Sequence, residues 1–159
     1  MIKVNDYFGL GKEVAVIETA AKLLGIEDAE ITVIKNDSML DKVGSPDLIV
    51  NGLLHKNNLP GNSYNLYLRE DTNEPIRSTL CHEMLHLKQY IDGVLSLDVN
   101  KKKFFWNGKE YSYDVPYMQR PWEQEVFRKQ NSFISEVRKK MNPGCLLSAI
   151  FNRKKNDKK

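Results

Sequence analysis

The stretch Ile76-Arg-Ser-Thr-Leu-Cys-His-Glu-Met-Leu-His-Leu-Lys-Gln-Tyr-Ile91 contains no proline, no glycine and no β-branched run. It predicts one uninterrupted helix of about four turns. Leu80, Met84, Leu87 and Ile91 recur at three- and four-residue spacing and form an apolar stripe, with Cys81 and Leu85 on its flank. Asp92-Gly93 supplies the stop. At about 100° per residue, His82 and His86 fall roughly 200° and 240° from Leu80. The two imidazoles are therefore turned away from the core-packing stripe and toward another surface.

Upstream, Asp71-Thr-Asn-Glu-Pro75 prepares the helix start: Pro75 suits a first turn, and Asn73 or Thr72 can cap it. Ser63 to Arg69 alternates Tyr64, Leu66 and Leu68 with Asn65, Tyr67 and Arg69 and reads as a strand. The turn Pro60-Gly61-Asn62 separates it from a strand over Asp47 to His55, entered at Ser45-Pro46. Glu30 to Lys35 is rich in β-branched residues and reads as a further strand. Val14, Ile17, Ala21 and Leu24 place a first helix over Val14 to Leu24, ended by Gly25. Downstream, Asn107-Gly108 between aromatic and apolar residues marks a hairpin over Phe104 to Tyr113. Arg120-Pro-Trp-Glu123 opens a long last helix to Met141, and Asn142-Pro-Gly144 ends it. The order α-β-β-β-α-β-β-α predicts an α+β domain with a mostly antiparallel sheet.

Composition narrows the class. The 159 residues are 41% hydrophobic and 28% charged, a globular balance for one domain of ordinary size, expected over residues 1–152. No apolar run approaches the ~20 residues that span a bilayer. Met1-Ile-Lys-Val-Asn-Asp-Tyr7 has no secretory signal pattern, and two cysteines, Cys81 and Cys145, make no disulfide framework. A cytoplasmic location is expected, with no membrane partner. Residues 153–159 hold five basic groups and one acid, so the net charge of +3 resides in this segment and the remainder is close to neutral. This tail is expected to be a disordered, solubilising end; nucleic-acid binding, if any, would run through it. The apolar run Cys145 to Phe151 before it reads as a last packing turn.

The central helix carries the chemistry. In His82-Glu83-Met84-Leu85-His86 the histidines stand four residues apart, so both rings point the same way and can grip one metal. Glu83 lies at the edge of that face, where it can take a proton from a water activated by zinc. A catalytic zinc needs a third protein ligand. His55 is the remaining histidine, at a strand end. Asp92 lies six residues past His86 but reads as a helix-end residue, because Gln89 offers no glycine at which the chain could turn. Glu123 and Glu125, on the last helix, are the other candidates. Trp122, Val126, Phe133, Ile134, Val137 and Met141 make that helix's apolar face, with Glu123 inside it and Glu125 off its centre. A buried carboxylate needs a partner, which favours Glu123; histidines that are themselves off their stripe favour Glu125. Residue physics leaves both open.

The motif order resembles the gluzincin-type zinc metallopeptidases, in which His-Glu-x-x-His on one helix is joined by a Glu on a later helix. The compact layout over residues 14–141 is similar to minimal zincin domains of small bacterial and phage-encoded metallopeptidases, so a phage origin is compatible. In those domains the later helix often reads Glu-x-Glu-Ala and the Glu before the small residue binds metal. Mapped onto Glu123-Gln124-Glu125-Val126, this resemblance favours Glu125, with Val126 in place of the usual alanine. It implies one zinc ion per chain, held by His82, His86 and Glu125 (Glu123 as the alternative), with Glu83 as general base. The implied reaction is hydrolysis of a peptide or protein substrate. The strand at 63–69 would be the edge strand that holds an extended peptide. Tyr90, Tyr111, Tyr113, Tyr117 and Arg120 are candidates to stabilise an oxyanion. The alternative is a catalytically silent zinc-binding structural or interaction module.

Overall fold

A computed structural model describes residues 2–43, 49–57, 60–70 and 76–143. Its strands are β1 (Ile2–Asp6), β2 (Ala29–Lys35), β3 (Gly52–Lys56), β4 (Ser63–Leu68), β5 (Leu95–Asp98), β6 (Lys103–Trp106) and β7 (Lys109–Ser112). Its helices are α1 (Gly11–Leu23), α2 (Asp37–Val43), α3 (Ile76–Ile91) and α4 (Pro121–Met141), with a 3-10 turn at Tyr117–Gln119. The α+β class expected from the sequence is what the chain forms.

The order and the sheets differ from expectation. The larger sheet runs β1-β2-β4-β3 and is mixed: β1–β2 and β2–β4 are parallel, and β3–β4 is antiparallel. Elements β1, α2 and β5 precede or interrupt the expected series. β1 is short and gains its stability by pairing with β2 after the α1 crossover, a long-range contact with no local signature. The signal for α2 is local: the Asn36 side chain accepts the Met39 N–H at 2.9 Å and caps the helix. β4, expected at an edge, lies between β2 and β3, and β3 is the edge strand next to it. The smaller sheet, β5-β6-β7, is antiparallel. Its Asn107-Gly108 turn has positive φ at both residues (47° and 77°), the geometry that an Asn-Gly hairpin demands.

α1 and α3 cover one face of the larger sheet. Val16, Ile17, Ala20 and Ala21 of α1 meet Leu80, Met84 and Leu87 of α3 over Ile31, Val33, Tyr64, Leu66 and Leu68. α4 adds Val126, Phe133 and Val137. The small sheet joins this body through Trp122, whose ring centre is 4.7 Å from Phe104 and 5.6 Å from Tyr111. α3 is thus buried on several sides, and Glu83, His86 and Gln89 are buried polar groups within it. No helix among the described residues is long and apolar enough to cross a membrane. The expected caps Thr72, Asn73 and Pro75, the strand entry at Ser45-Pro46-Asp47, Gly144, the run from Cys145 and the 153–159 tail lie outside the described residues.

Candidate metal centre

α3 holds His82 and His86 against α4 because α4 packs the face containing Trp122, Glu123 and Val126 inward. His82 Nε2 and His86 Nε2 are 3.1 Å apart. Glu123 Oε2 lies 3.3 Å from His82 Nε2 and 3.1 Å from His86 Nε2. His86 and Glu123 are buried, and His82 is nearly so.

The outer partners decide which way the rings present themselves. Gln89 Nε2 donates to the Trp122 carbonyl at 3.1 Å and to Glu125 Oε2 at 2.8 Å. A carbonyl can only accept, so the amide is oriented, and Gln89 Oε1 must be the atom that faces His86 Nδ1 at 2.9 Å. His86 Nδ1–H therefore donates, and its Nε2 carries a lone pair. His82 Nδ1 likewise meets Gln130 Oε1 at 2.9 Å, with Gln130 Nε2 donating to Ser78 Oγ at 3.0 Å. With both imidazoles neutral, two Nε2 lone pairs and a carboxylate oxygen converge, and the Tyr117 hydroxyl is a neighbouring donor 3.4 Å from His82 Nε2. Such a cluster repels itself unless a proton or a cation fills it. A tetrahedral centre with bonds of about 2.0–2.1 Å sets its ligand atoms about 3.3–3.4 Å apart. The observed triangle, with edges of 3.1, 3.1 and 3.3 Å, is close to that size. Among the described residues His82, His86 and Glu123 form a group that could hold a metal ion.

Electrostatics agree with the geometry. Burial pulls the His82 imidazole down, but its bond to Glu123, the charge of Glu83 and the Gln130 contact carry it up to about 9. Burial raises the Glu123 carboxyl, but once a proton sits on an imidazole Nε2, its hydrogen bonds with His82 and His86 override this and hold it well below the usual carboxylate range. Glu83 goes the other way: burial raises it, against the pull of both histidines. The backbone N–H of Leu54 on β3 anchors its Oε2 at 2.9 Å. Glu83 shares with His82, His86 and Glu123 a cavity of about 150 Å³. Gly52 makes this approach of β3 to α3 feasible, because a Cβ there would lie 2.5 Å from Thr79 Cγ2 and 3.2 Å from Glu83 Cγ.

Glu125, which the resemblance favours, is outside the cluster. It accepts from Gln89 and pairs with Lys129 at 2.8 Å, and although burial raises its carboxyl, these contacts keep it below its ordinary value. Residues two positions apart on a helix differ by about 200°, so Glu123 and Glu125 cannot share a face. The histidines lie off the stripe of α3 yet face the packed side of α4, and for that reason the ligand position follows burial on α4. His55 stays on β3 and lines a different cavity, and Asp92 pairs with Lys88 at 2.7 Å on the surface. Tyr117 is brought in by the 3-10 turn, with its hydroxyl 3.4 Å from His82 Nε2. Tyr90 and Arg120 line the cavity, whereas Tyr111 and Tyr113 pack against Trp122 and Phe104. Sequence reasoning missed Gln89 and Gln130. Their signal is spacing: Gln89 is three residues beyond His86, and Gln130 is seven beyond Glu123 on the same helix face.

Comparisons with protein-family models, with curated proteins and with solved structures find no match to this chain. The fold and the cluster by themselves define an α+β protein with a buried His-His-Glu group suited to a metal ion.

Proposed function

We propose that this chain is a zinc-dependent metallopeptidase in which His82, His86 and Glu123 hold the ion and Glu83 is the general base. The observation that carries this reading is the convergence of three acceptor atoms beside a buried fourth group, Glu83, in one cavity. The His-Glu-x-x-His spacing and the later-helix glutamate, in the order of the gluzincins, support it. A zinc ion in such a site lowers the pKa of a water it binds to about 7 and polarises a carbonyl.

The remaining work falls to the chain's own side chains. Leu54 N–H fixes one oxygen of Glu83 and leaves Oε1 to take a proton. Burial raises the proton affinity of Glu83, which suits a group that accepts a proton and then hands it to the leaving amine. Burial, and then the charge of Glu123, push the Tyr117 hydroxyl upward, so it stays protonated as a donor toward negative charge on a substrate oxygen. β3 is the strand placed to hold an extended peptide. Asn51 O accepts from Arg69 N–H at 3.0 Å and Asn57 N–H donates to Ser63 O at 2.8 Å, so the odd-numbered residues pair with β4. The Gly52 and Lys56 backbones and the Leu54 carbonyl then face the open edge, while the Leu54 N–H is held by Glu83.

The test is elemental analysis of the purified protein together with peptide cleavage by wild type and Glu83→Gln. About one zinc per chain in both, with cleavage by wild type alone, is the expected result; the variant should lose about 10²–10⁴ in rate. Undiminished hydrolysis by Glu83→Gln would remove the mechanism. Zinc without cleavage by wild type would favour a zinc-binding structural or interaction module.

A further inference from the structure

Arg120 has a feature that the proposed reaction does not use. It ends the 3-10 turn and caps α4, and its side chain turns back under the loop after β7. Nε donates to the Val115 carbonyl at 3.0 Å and Nη2 to the Tyr113 carbonyl at 3.4 Å. The guanidinium lies 5.4 Å from the ring centre of Phe104 and 5.7 Å from that of Tyr117. Two carbonyls and two rings therefore hold it in one orientation, and its charge has no carboxylate within ion-pair distance among the described residues.

Its position relative to the cavities gives this charge a purpose. Arg120 lines the small cavity of the metal cluster and also a neighbouring cavity of about 700 Å³. Leu53, Leu54, Tyr90, Leu95 and Phe104 belong to the shared wall. The larger cavity is mostly apolar; among the described residues its charged lining groups are Lys56 and Arg120, and no Asp or Glu lines it. Tyr117, in contact with Arg120, is the side chain that separates the guanidinium from His82. A fixed guanidinium between an apolar cavity and a reaction centre is matched by a carboxylate, which it can bind through a charge-assisted fork.

Resting on the peptidase reading above, we infer that Arg120 is the specificity residue of the site. It binds a carboxylate carried by the substrate next to the bond that is cleaved, and an adjacent apolar side chain enters the larger cavity. The carboxylate is either the terminal one of a peptide or that of an Asp or Glu side chain.

The experiment uses zinc-loaded protein and a mixed library of N-acetylated peptides. Each member is made as free acid and as amide, and with Asp or Glu replaced by Asn or Gln in matched copies. Cleavage is followed by mass spectrometry. Carboxylate-bearing members are expected to be preferred at least about tenfold in kcat/KM, mainly through KM. An acid-over-amide preference identifies the terminal carboxylate, and an Asp/Glu-over-Asn/Gln preference identifies the side chain. The preference should vanish in Arg120→Gln, persist in part in Arg120→Lys, and weaken with salt in wild type. Should Arg120→Gln fail to fold, the wild-type preference and its partial survival in Arg120→Lys still decide. Equal rates for all forms would overturn the role of Arg120 while leaving the peptidase reading intact. No cleavage of any member by wild type would remove both.

Discussion

Replacing Glu123 and Glu125 one at a time by alanine separates two carboxylates that the sequence leaves equivalent. Glu123 Oε2 approaches both imidazoles within 3.3 Å. Glu125 reaches the cluster only through Gln89, which still holds the Trp122 carbonyl when Glu125 is gone. Apparent zinc-binding energies of about 10–16 kcal/mol for four-ligand sites correspond to roughly 2.5–4 kcal/mol per ligand, or about 10²–10³ in affinity. Glu123→Ala should therefore weaken zinc binding by about 10²–10³-fold. Glu125→Ala, acting on an outer partner that keeps its second anchor, should cost no more than about tenfold. At saturating zinc the difference appears as stability: about 2.5–4 kcal/mol is roughly 5–15 °C of zinc-induced rise in Tm for a chain of this size. The assay is competition with a zinc-chelating dye, paired with thermal melts in zinc and in chelator. A greater loss in Glu125→Ala, or equal small losses in both, would refute the placement of Glu123 in the cluster.

Other consequences are independent of catalysis. Gly52→Ala should destabilise the fold by about 1–3 kcal/mol in urea unfolding, because its Cβ would meet Thr79 Cγ2 at 2.5 Å. Adding Thr79→Ser, which removes that methyl, should recover part of the loss, and a neutral Gly52→Ala would show that β3 can move away. In chelator the protein should become less stable as pH rises from 6.5 to 9. His82 holds a proton in the native state up to about 9 that the unfolded chain releases above 6.5, a contribution on the order of 3 kcal/mol present below that window and lost across it. Unfolding midpoints that stay level or rise over this range, or a fall that persists in His82→Gln, would contradict the pairing of His82 with Glu123. Burial pushes the Cys81 thiol up to about 11 against the pull of Arg77. In a Cys145→Ser protein Cys81 should resist a thiol reagent at pH 8 until the chain unfolds, and rapid labelling of the folded protein would place it nearer the surface.

The helix at Ile76–Ile91, the Asn107-Gly108 hairpin and the start of the long helix at Pro121 were legible in the sequence because each is specified by neighbours: periodicity, turn chemistry and a proline at a first turn. The pairing of His82 with His86, with Glu83 between them, was legible for the same reason, since one helical turn fixes their relation. β1, the parallel β1–β2 and β2–β4 pairings and the interior place of β4 were not, because a strand's partners lie far along the chain and its own pattern does not name them. The third member of the cluster belongs to this second kind. Whether Glu123 or Glu125 meets the histidines depends on how α4 rolls against α3, and that is set by Trp122, Val126 and Phe133 filling the space between helices and sheet. Spacing along one helix settles which groups can act together. Which group from another helix joins them is settled by packing across the core.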